Sequence, residues 1–328
     1  MSSAVVITGA NGFVGRACVA CARQNDIPVV AIVRSTPLAQ WQGDSGITVV
    51  RLDLTQPDAA DRLAAAIPVG AAVIHAAAHL GDDPDRLAAD TLGASASVLH
   101  AVKAAQARLV LISSLTVYDT DRLSPGDRLD ENSPLIAAGS TARDAYAGAK
   151  RVQETLFADL KEAWFLRAGA IWGPHRSWHA LQGFWASKLF VTIGSDGELP
   201  LVHVDHLART AITAAGTAAQ GVHAVNVFDD DLPDRARFLR AHRATYGWPR
   251  INVTVPYQAW AAMARGLRPI AHHLPGLFRE PVLRARVMPL RFPNDGLRAA
   301  LGGADSAAFE AMMTRTHAAE APVTGGTP

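Results

Sequence analysis

The sequence predicts an α/β fold, a doubly wound parallel sheet with a smaller lobe towards the C-terminus. Short apolar runs alternate with alanine-rich stretches of helical composition through the first half of the chain. This alternation is expected when each strand is followed by a helix that crosses back over the sheet. Most of the apolar runs are continuous rather than alternating, which is typical of parallel strands buried on both faces.

The predicted elements follow each other in regular order. Prolines and arginines become frequent after about residue 230, and the strand–helix pattern loosens there. The predicted strands are AVVIT (4–8), PVVAIVR (28–34), ITVVRLD (47–53), AAVIHAA (71–77) and RLVLISS (108–114), with two more in 164–172 and 223–228. The helical stretches between them are 12–24, 57–66, 84–106 and 142–161.

The composition excludes several classes of protein. The chain has 328 residues, 49% of them hydrophobic, and its 31 Lys and Arg residues almost balance 30 Asp and Glu residues. A nucleic-acid-binding domain normally carries a basic face, which this balance argues against. The sequence contains no run of about 18 apolar residues, the length that a transmembrane helix needs. The opening MSSAVVITGANG does not resemble a signal peptide. We therefore expect a soluble, cytoplasmic protein that binds neither nucleic acid nor a membrane.

The two cysteines, Cys18 and Cys21, form a CVAC motif. A redox or metal site with this spacing needs an exposed pair at a helix N-terminus, or a second pair of ligands. The sequence offers neither. The motif lies in the amphipathic run GRACVACAR, where small apolar cysteines suit helix packing. We expect both cysteines in the core.

The first strand runs into a glycine-rich turn, GANGFVG, with glycines spaced three apart. Glycine allows a tight turn and lets backbone N–H groups approach a pyrophosphate at the N-terminus of the next helix. Because the turn follows a strand and opens a helix at the start of a βαβ pattern, it predicts a dinucleotide site. The residues expected to contact the cofactor are Gly9, Asn11, Gly12, Phe13, Val14 and Gly15.

The ends of the second and third strands should meet the adenosine half of the dinucleotide. An acid after the second strand would bind the ribose hydroxyls of NAD, but this chain has Arg34 there. An arginine pairs well with a phosphate dianion, so Arg34 favours NADP over NAD, unless it is simply a solvated arginine. Asp53, followed by Leu54, is placed to bind the adenine amino group or, equally, to cap an Asx turn.

Five segments carry a resemblance to a known family. TGANGFVG, LDLT, VIHAAA, ISSLTVY and YAGAK occur in an order and spacing similar to those of the extended short-chain dehydrogenase/reductase superfamily, which includes the NAD-dependent epimerase/dehydratase families. The resemblance covers residues 4–174, and continues more weakly through LVHVDHLA (201–208) to NDGLRAALG (294–302). It implies a Rossmann-type sheet with the backbone of Ala76, Ala77 and Ala78 beside the cofactor.

The same resemblance divides the chain. We expect residues 1–170 to form an NAD(P)-binding domain, completed by elements within 200–230. Residues 171–200 and 230–318 are expected to form a substrate-binding lobe. The composition of residues 319–328 predicts a flexible tail.

Tyr146 and Lys150, in DAYAGAK, are four residues apart and lie on one face if the segment is helical. In the proteins that this chain resembles, such a helix lies beside the nicotinamide, and a serine or threonine after the fifth strand, here Ser114, completes the site. The pKa of a tyrosine phenol in water is about 10, and a nearby ammonium group lowers it by about 1–3 units. The resemblance implies Tyr146 as general acid and base, Lys150 as a ribose ligand and Ser114 as a ligand of the substrate oxygen.

Two other residues compete for these roles. Period-two alternation along the strand turns Ser113 to the face opposite Ser114. Tyr118 lacks a lysine four residues later, and packing explains it better. His75, at the end of the fourth strand, is expected to be a buried side chain with satisfied hydrogen bonds.

The chain departs from the family pattern at several positions. Asp90 replaces an asparagine that relatives usually carry, and His206 stands where a second acid is common. Nucleotide-sugar enzymes often have an asparagine near 168–170, where this chain has Ala-Gly-Ala, and their Arg-Pro-x-Asp motif is missing. These differences weaken the nucleotide-sugar interpretation.

The loop 172–185 follows the sixth strand, and from this position we expect it to form part of the substrate cleft. By position, Trp172, His175 and Trp178 line the cleft, although ordinary packing of large aromatics fits equally well. His175 and His179 have a spacing that could hold a metal, but no carboxylate accompanies them, so no metal site is expected.

The sequence therefore predicts an NAD(P)-dependent oxidoreductase that transfers hydride reversibly between the nicotinamide and a carbonyl or secondary alcohol of a small molecule. The alternative is a nucleotide-sugar epimerase or dehydratase that retains tightly bound NAD. A non-catalytic cofactor sensor is a third hypothesis, which an intact set of Ser114, Tyr146 and Lys150 argues against. The resemblance also implies a homodimer that pairs through the helix carrying the tyrosine and its neighbour.

Overall fold

The structure is a computed structural model that describes residues 4–81, 83–137, 144–179, 181, 183–303 and 307–320. Residues 321–328 of the predicted tail lie outside the described residues, as do residues 142–143 of the predicted helix 142–161. Residues 319–320, which the sequence assigns to the tail, instead end the last helix.

A seven-stranded sheet forms the centre of the molecule, and all six of its strand pairs are parallel. From one edge to the other, the strands are β11 (Gly221–Val227), β6 (Glu162–Ala168), β5 (Arg108–Ser114), β4 (Ala72–His75), β1 (Val5–Thr8), β2 (Val29–Val33) and β3 (Ile47–Arg51). This order places the first strand near the middle and reverses the direction of winding beside it. This confirms the predicted doubly wound Rossmann-type fold.

Helices cover both faces of this sheet. The predicted helix 84–106 is α-helical at both ends and π-helical in the middle, over Leu87–Gly93. The α-helices are α1 (Phe13–Gln24), α2 (Ala59–Ala66), α3 (Pro84–Arg86), α4 (Ala94–Ala104), α5 (Ala145–Leu156), α6 (Val204–Gly216), α7 (Arg235–Tyr246), α8 (Tyr257–Gly266), α9 (Glu280–Val287), α10 (Asp295–Leu301) and α11 (Phe309–Glu320).

Each strand of the sheet contributes to two cores, because successive side chains point to opposite faces. Ile7 on β1 packs in a core with α1 and α6, and its neighbour Val6 packs in the core with α2 and α4. This two-sided burial explains why the strands read as continuous apolar runs. Cys18 and Cys21 are free, buried residues of the α1 face, as the sequence predicts.

The remaining strands form two small sheets. β7 (Ala170–Trp172) pairs in parallel with β10 (Leu201–His203), and this pairing extends the line of β6 after a break at Gly169. β9 (Leu189–Ile193) lies between β8 (Gly183–Ala186) and β12 (Ile251–Val255) in a three-stranded sheet. No helix in the described part of the chain is long and apolar enough to cross a lipid bilayer.

The close contact between α1 and the turn after β1 generates a test. A Cβ atom on Gly15 would lie 2.2 Å from the carbonyl oxygen of Gly9, so backbone atoms would have to move. We expect Gly15→Ala to lower the free energy of unfolding in urea by about 1–3 kcal/mol.

Gly216→Ala is the matched control, because Gly216 ends α6 and a Cβ atom added there would have no neighbouring atom within 4 Å among the described residues. That substitution is expected to leave the free energy of unfolding unchanged or to raise it by up to about 1 kcal/mol. Equal losses in the two variants would contradict the tight packing of α1.

Candidate active site

The glycine-rich turn between β1 and α1 is shaped for a close approach by an anion. Gly9 has φ +65°, and a Cβ atom there would lie 2.9 Å from the backbone of Ala77, so only glycine fits. The N-cap residue of α1 is Gly12, so no capping side chain accepts hydrogen bonds from the N–H groups of the first helical turn. The N–H groups of that turn therefore suit a pyrophosphate, and the residues present fit a dinucleotide.

A cavity of about 410 Å³ lies at the carboxyl ends of β1, β2, β3 and β4, where the sequence predicts the adenosine half of the cofactor. Asp53 lines it, and its Oδ1 accepts hydrogen bonds from the N–H (3.0 Å) and hydroxyl (2.8 Å) of Thr55. These bonds lower the pKa of Asp53, and they show the Asx turn that the sequence left as one of two alternatives. The predicted residues lining this cavity are Gly9, Asn11, Gly12, Arg34, Asp53, Leu54, Ala76, Ala77 and Ala78.

Arg34 lines the same cavity, but its guanidinium group has a protein partner. Its Nη1 lies 3.1 Å from Oδ1 of Asp90, which belongs to the π-helical segment Leu87–Gly93 and also lines the cavity. The sequence-based preference for NADP assumes that Arg34 is a free cation. The structure pairs it with the acid that replaces the family asparagine.

A second cavity, of about 600 Å³, brings the three predicted catalytic residues together. Ser114 ends β5, while Tyr146 and Lys150 are one helical turn apart on α5, and all three side chains line the cavity. Oγ of Ser114 accepts a hydrogen bond from the N–H of Thr116 (3.2 Å) and acts on the Tyr146 phenol, whose pKa it lowers. The cavity also reaches the turn that begins α1, with Gly12, Phe13, Val14 and Gly15 in its wall.

The acidity of Tyr146 differs from the sequence-based expectation. Burial raises the pKa of its phenol to about 12, although the hydrogen bond with Ser114 acts in the opposite direction. The charge of Asp144, two residues earlier, raises it further. The predicted lowering by Lys150 is therefore wrong for this structure, in which desolvation of the phenolate is the main influence on the pKa of Tyr146. At neutral pH Tyr146 carries its proton.

Lys150 is a buried ammonium group held by two acceptors. Its Nζ donates to the carbonyl oxygen of Ile112 on β5 and to Oε1 of Gln153, each at 2.9 Å. Burial lowers the pKa of Lys150 to about 8, and the negative charge of Glu154 opposes that shift. Two of the three N–H bonds of the ammonium group are thus engaged by the protein.

A chain of buried hydrogen bonds continues from Gln153 into the sheet. The amide nitrogen of Gln153 donates to Oγ of Ser95 (2.8 Å), and Ser95 contacts Nε2 of His75 (3.0 Å). The Nδ1 atom of His75 lies 2.7 Å from the hydroxyl of Thr8. Burial lowers the pKa of His75 to about 3, so the ring is neutral and satisfied as predicted.

A buried ion pair lies behind Lys150. Glu154 accepts hydrogen bonds from Nε (3.0 Å) and Nη2 (2.9 Å) of Arg167 and from the hydroxyl of Ser113 (2.6 Å). Nη1 of Arg167 donates to the hydroxyl of Tyr118, which donates in turn to Oδ1 of Asn226. Ser113 and Tyr118 therefore serve this cluster and do not compete with Ser114 and Tyr146.

Sequence reasoning did not identify Gln153, Glu154 or Arg167. One signal was available: a charged residue within the apolar run WFLRA indicates a buried charge, and buried arginines are nearly always paired. Its partner could not be named, because Glu154 lies on a different element.

The predicted substrate residues Trp172, His175 and Trp178 do not line the cavity of the catalytic residues. Trp172 is fully buried, and its Nε1 donates to Oδ2 of Asp229 (2.8 Å), beside the side chain of His206. Trp178 packs in a cluster of aromatic rings, because large apolar rings are better stabilised by each other than by water. His175 is exposed, and its N–H donates to Glu320.

Other residues of the same loop take their place. Arg176, His179 and Leu181 line the cavity, together with the backbone segment 168–171 that ends β6 and forms β7. Among the described residues, no group of three or more His, Cys, Asp or Glu side chains could hold a metal ion.

The cavity continues into a chamber of about 290 Å³ that shares Ser114 and Thr116 with it. Apolar side chains form most of the chamber walls, and three charged residues, Glu198, Arg286 and the buried Arg235, also line it. The guanidinium group of Arg235 donates to the carbonyl oxygens of Leu181, Asp196 and Arg286. The apolar walls are formed by Leu115, Leu129, Leu181, Met288, Leu290 and Phe292.

Comparison with known proteins places this geometry in a family. The model of the NAD dependent epimerase/dehydratase family matches residues 5–227. A ceramide reductase from Caulobacter vibrioides is 28% identical over 225 residues, which are 66% of this chain and 62% of that protein. The chain therefore matches less than two thirds of the length of this relative.

Solved structures share the fold across nearly the whole chain. A UDP-glucose 4-epimerase from Bifidobacterium longum, in complex with NAD+ and UDP, is 17% identical with a TM-score of 0.69, covering 97% of this chain and 98% of that one. A UDP-glucuronic acid 4-epimerase from Bacillus cereus, in complex with NAD, is 15% identical with a TM-score of 0.68, covering 97% and 98%. At these identities the similarity establishes the fold alone.

The depressed pKa of Lys150 generates a prediction about stability. Between about pH 8 and about pH 10.5 the unfolded chain keeps a proton on this lysine that the folded protein has lost. Stability therefore rises with pH in that interval. From pH 7 to pH 9.5, we expect the free energy of unfolding of the wild type, measured relative to Lys150→Met, to increase by about 2 kcal/mol.

Lys103→Met removes an exposed ammonium group from α4 and is the control. The free energy of unfolding of the wild type, measured relative to Lys103→Met, is expected to show no such increase with pH. A flat difference for Lys150→Met as well would mean that the ammonium group of Lys150 is not buried in solution.

Proposed function

The chain belongs to the NAD dependent epimerase/dehydratase family, and from that premise we propose that it is an NAD(P)-dependent oxidoreductase. It interconverts a carbonyl group and a secondary alcohol on a small molecule. One observation carries the proposal: a single cavity is lined both by Ser114, Tyr146 and Lys150 and by the glycine-rich turn at the start of α1. A substrate in this cavity can therefore meet the proton donor and the dinucleotide at the same time.

Tyr146 supplies the proton when a carbonyl group is reduced. Its phenol is protonated at neutral pH, and it donates to the carbonyl oxygen as negative charge develops there. When bound, the nicotinamide supplies or accepts the hydride. In the oxidation direction Tyr146 must accept the proton of the alcohol, so the phenolate must be stabilised by groups around it.

Lys150 and Ser114 provide that support. The third N–H bond of the Lys150 ammonium group serves the nicotinamide ribose, and its positive charge favours the phenolate of Tyr146 once the cavity is filled. Ser114, which lines the cavity together with Tyr146, holds the substrate oxygen next to the phenol. We therefore assign the catalytic roles to Ser114, Tyr146 and Lys150.

The substrate binds against the lobe formed by residues 171–200 and 230–318. The small residues at 168–170 and the apolar walls of the adjoining chamber suit a substrate with an apolar body. This supports a non-sugar carbonyl compound as the preferred substrate class.

A nucleotide-sugar epimerase or dehydratase is the second candidate. Three arginines, Arg176, Arg235 and Arg286, line the two cavities, and guanidinium groups suit the diphosphate of a nucleotide sugar. The epimerases similar in fold are described with NAD and, in one case, UDP, which favours this candidate as well.

We also propose a cytoplasmic homodimer that pairs through α4 and α5. Val152 on the outer face of α5 is 52% exposed, as expected of an apolar side chain available to a partner. For the cofactor, Arg34 considered alone favours NADP, and that prediction from the sequence leaves its ion pair with Asp90 out of account.

A tyrosine variant tests the proposed chemistry. We expect Tyr146→Phe to lower kcat for carbonyl reduction by about 10²–10⁴-fold, because it removes the proton donor. The consumption of NADH or NADPH with a panel of ketones and aldehydes measures this loss, and calorimetry should show that dinucleotide binding is retained. Tyr257→Phe, on α8, is the control and should keep its activity. Activity that survives in Tyr146→Phe would contradict the assigned role.

The nucleotide carried by the purified protein separates the two candidates. An oxidoreductase that exchanges its cofactor each cycle should release little or no nucleotide when it is denatured. Stoichiometric NAD, identified by chromatography after denaturation, would instead favour the redox-neutral epimerase or dehydratase and would count against the first candidate.

A further inference from the structure

Three charged side chains line the cavity where the sequence predicts the adenosine half of the cofactor. Arg34 follows β2, Asp53 follows β3, and Asp90 comes from the π-helical segment, and all three line the same cavity of about 410 Å³. The Arg34 guanidinium group contacts the Asp90 carboxylate at 3.1 Å. Arg34 also acts on Asp53, since its charge helps to lower the pKa of that carboxyl group.

The position of Asp90 is fixed by the segment that carries it. Its neighbour Thr91 is fully buried, accepts a hydrogen bond from the N–H of His79 (3.0 Å) and offers its carbonyl oxygen to Ser95 (2.6 Å). Leu87, one turn earlier, is buried as well. Asp90 is therefore held at the cavity by a segment that buried residues anchor on both sides of it in the sequence.

The net charge of these three side chains opposes the 2′-phosphate that distinguishes NADP from NAD. One arginine and two carboxylates give a net charge of −1, whereas the sequence-based preference for NADP counts the arginine alone. A phosphate monoester carries about −1.5 to −2 charges at pH 7. To bind Arg34 it must either share the guanidinium group with Asp90 or displace that carboxylate and leave it unpaired nearby. A ribose hydroxyl meets no such obstacle, because it can donate a hydrogen bond to a carboxylate.

We propose that Asp90 sets the choice of dinucleotide, engaging Arg34 and repelling a 2′-phosphate, so that the protein binds NAD in preference to NADP. This inference rests on the proposed function, since it assumes that a dinucleotide occupies the cavity. It revises the preference for NADP that Arg34 alone predicts. Asp90 is a specificity-determining residue, and it takes no part in the chemistry at Tyr146.

Calorimetric titration of the purified protein with NAD+ and with NADP+ tests the proposal without relying on turnover. The wild type is expected to bind NAD+ more tightly. In Asp90→Asn, which restores a neutral amide of the same size, we expect the affinity for NADP+ to increase by about tenfold or more, equivalent to about 1.4 kcal/mol. The affinity for NAD+ should change by less than about threefold, because the amide oxygen of the new asparagine can still accept a hydrogen bond from a ribose hydroxyl.

Two further variants make the result specific. Adding Arg34→Ala to Asp90→Asn should remove most of the gain for NADP+, because the released guanidinium group is what binds the phosphate. Asp295→Asn is the matched control, since Asp295 forms an exposed pair with Arg128 at 3.0 Å that does not line this cavity. It should leave both affinities unchanged.

Each outcome has a distinct meaning. If NAD+ and NADP+ both bind but their affinity ratio is the same in the wild type and in Asp90→Asn, this inference is wrong and the proposed function stands. A wild type that prefers NADP+ would overturn it too. If the wild type binds neither dinucleotide, the proposed function fails, and the inference fails with it.

Discussion

The buried ammonium group of Lys150 is the constraint on which the arrangement of the site depends. An ammonium group removed from water needs acceptors, and it finds them in the carbonyl oxygen of Ile112 and the amide of Gln153. One acceptor belongs to β5 and the other to α5, so the contact fixes the helix against the carboxyl end of that strand. Ser114, two residues after Ile112, and Tyr146, one turn before Lys150, consequently face the same cavity.

The charges behind Lys150 explain how the site remains ionised inside the protein. The side chains of Glu154 and Arg167 are 3% and 7% exposed and neutralise each other through two hydrogen bonds. A buried pair of this kind adds little to stability by itself, because both ions are desolvated. Its contribution here is orientation: it joins α5 to β6 and commits the Glu154 carboxylate to Arg167 rather than to Lys150. Burial of the ammonium group lowers the pKa of Lys150 to about 8, and the charge of Glu154 offsets only part of that shift.

The parts of the molecule that depend on local pattern could be predicted from the sequence. The strands, the glycine-rich turn and the opposite directions of Ser113 and Ser114 follow from periodicity and from backbone sterics. What failed depends on contacts between distant residues. Arg34 and Asp90 are 56 positions apart, and the pKa of Tyr146 depends on its burial, which spacing does not reveal. Trp172, predicted to line the cleft, found a buried partner in Asp229 instead.

The central claim is that Lys150 and Tyr146 face the nicotinamide ribose while the turn at Gly12 holds the pyrophosphate. A crystal structure of the protein with bound dinucleotide tests it most directly. The account predicts density for the ribose hydroxyls within hydrogen-bond distance of Lys150 Nζ and the Tyr146 phenol, with the pyrophosphate at the first turn of α1. A dinucleotide bound elsewhere, or a ribose out of reach of both side chains, would contradict the account.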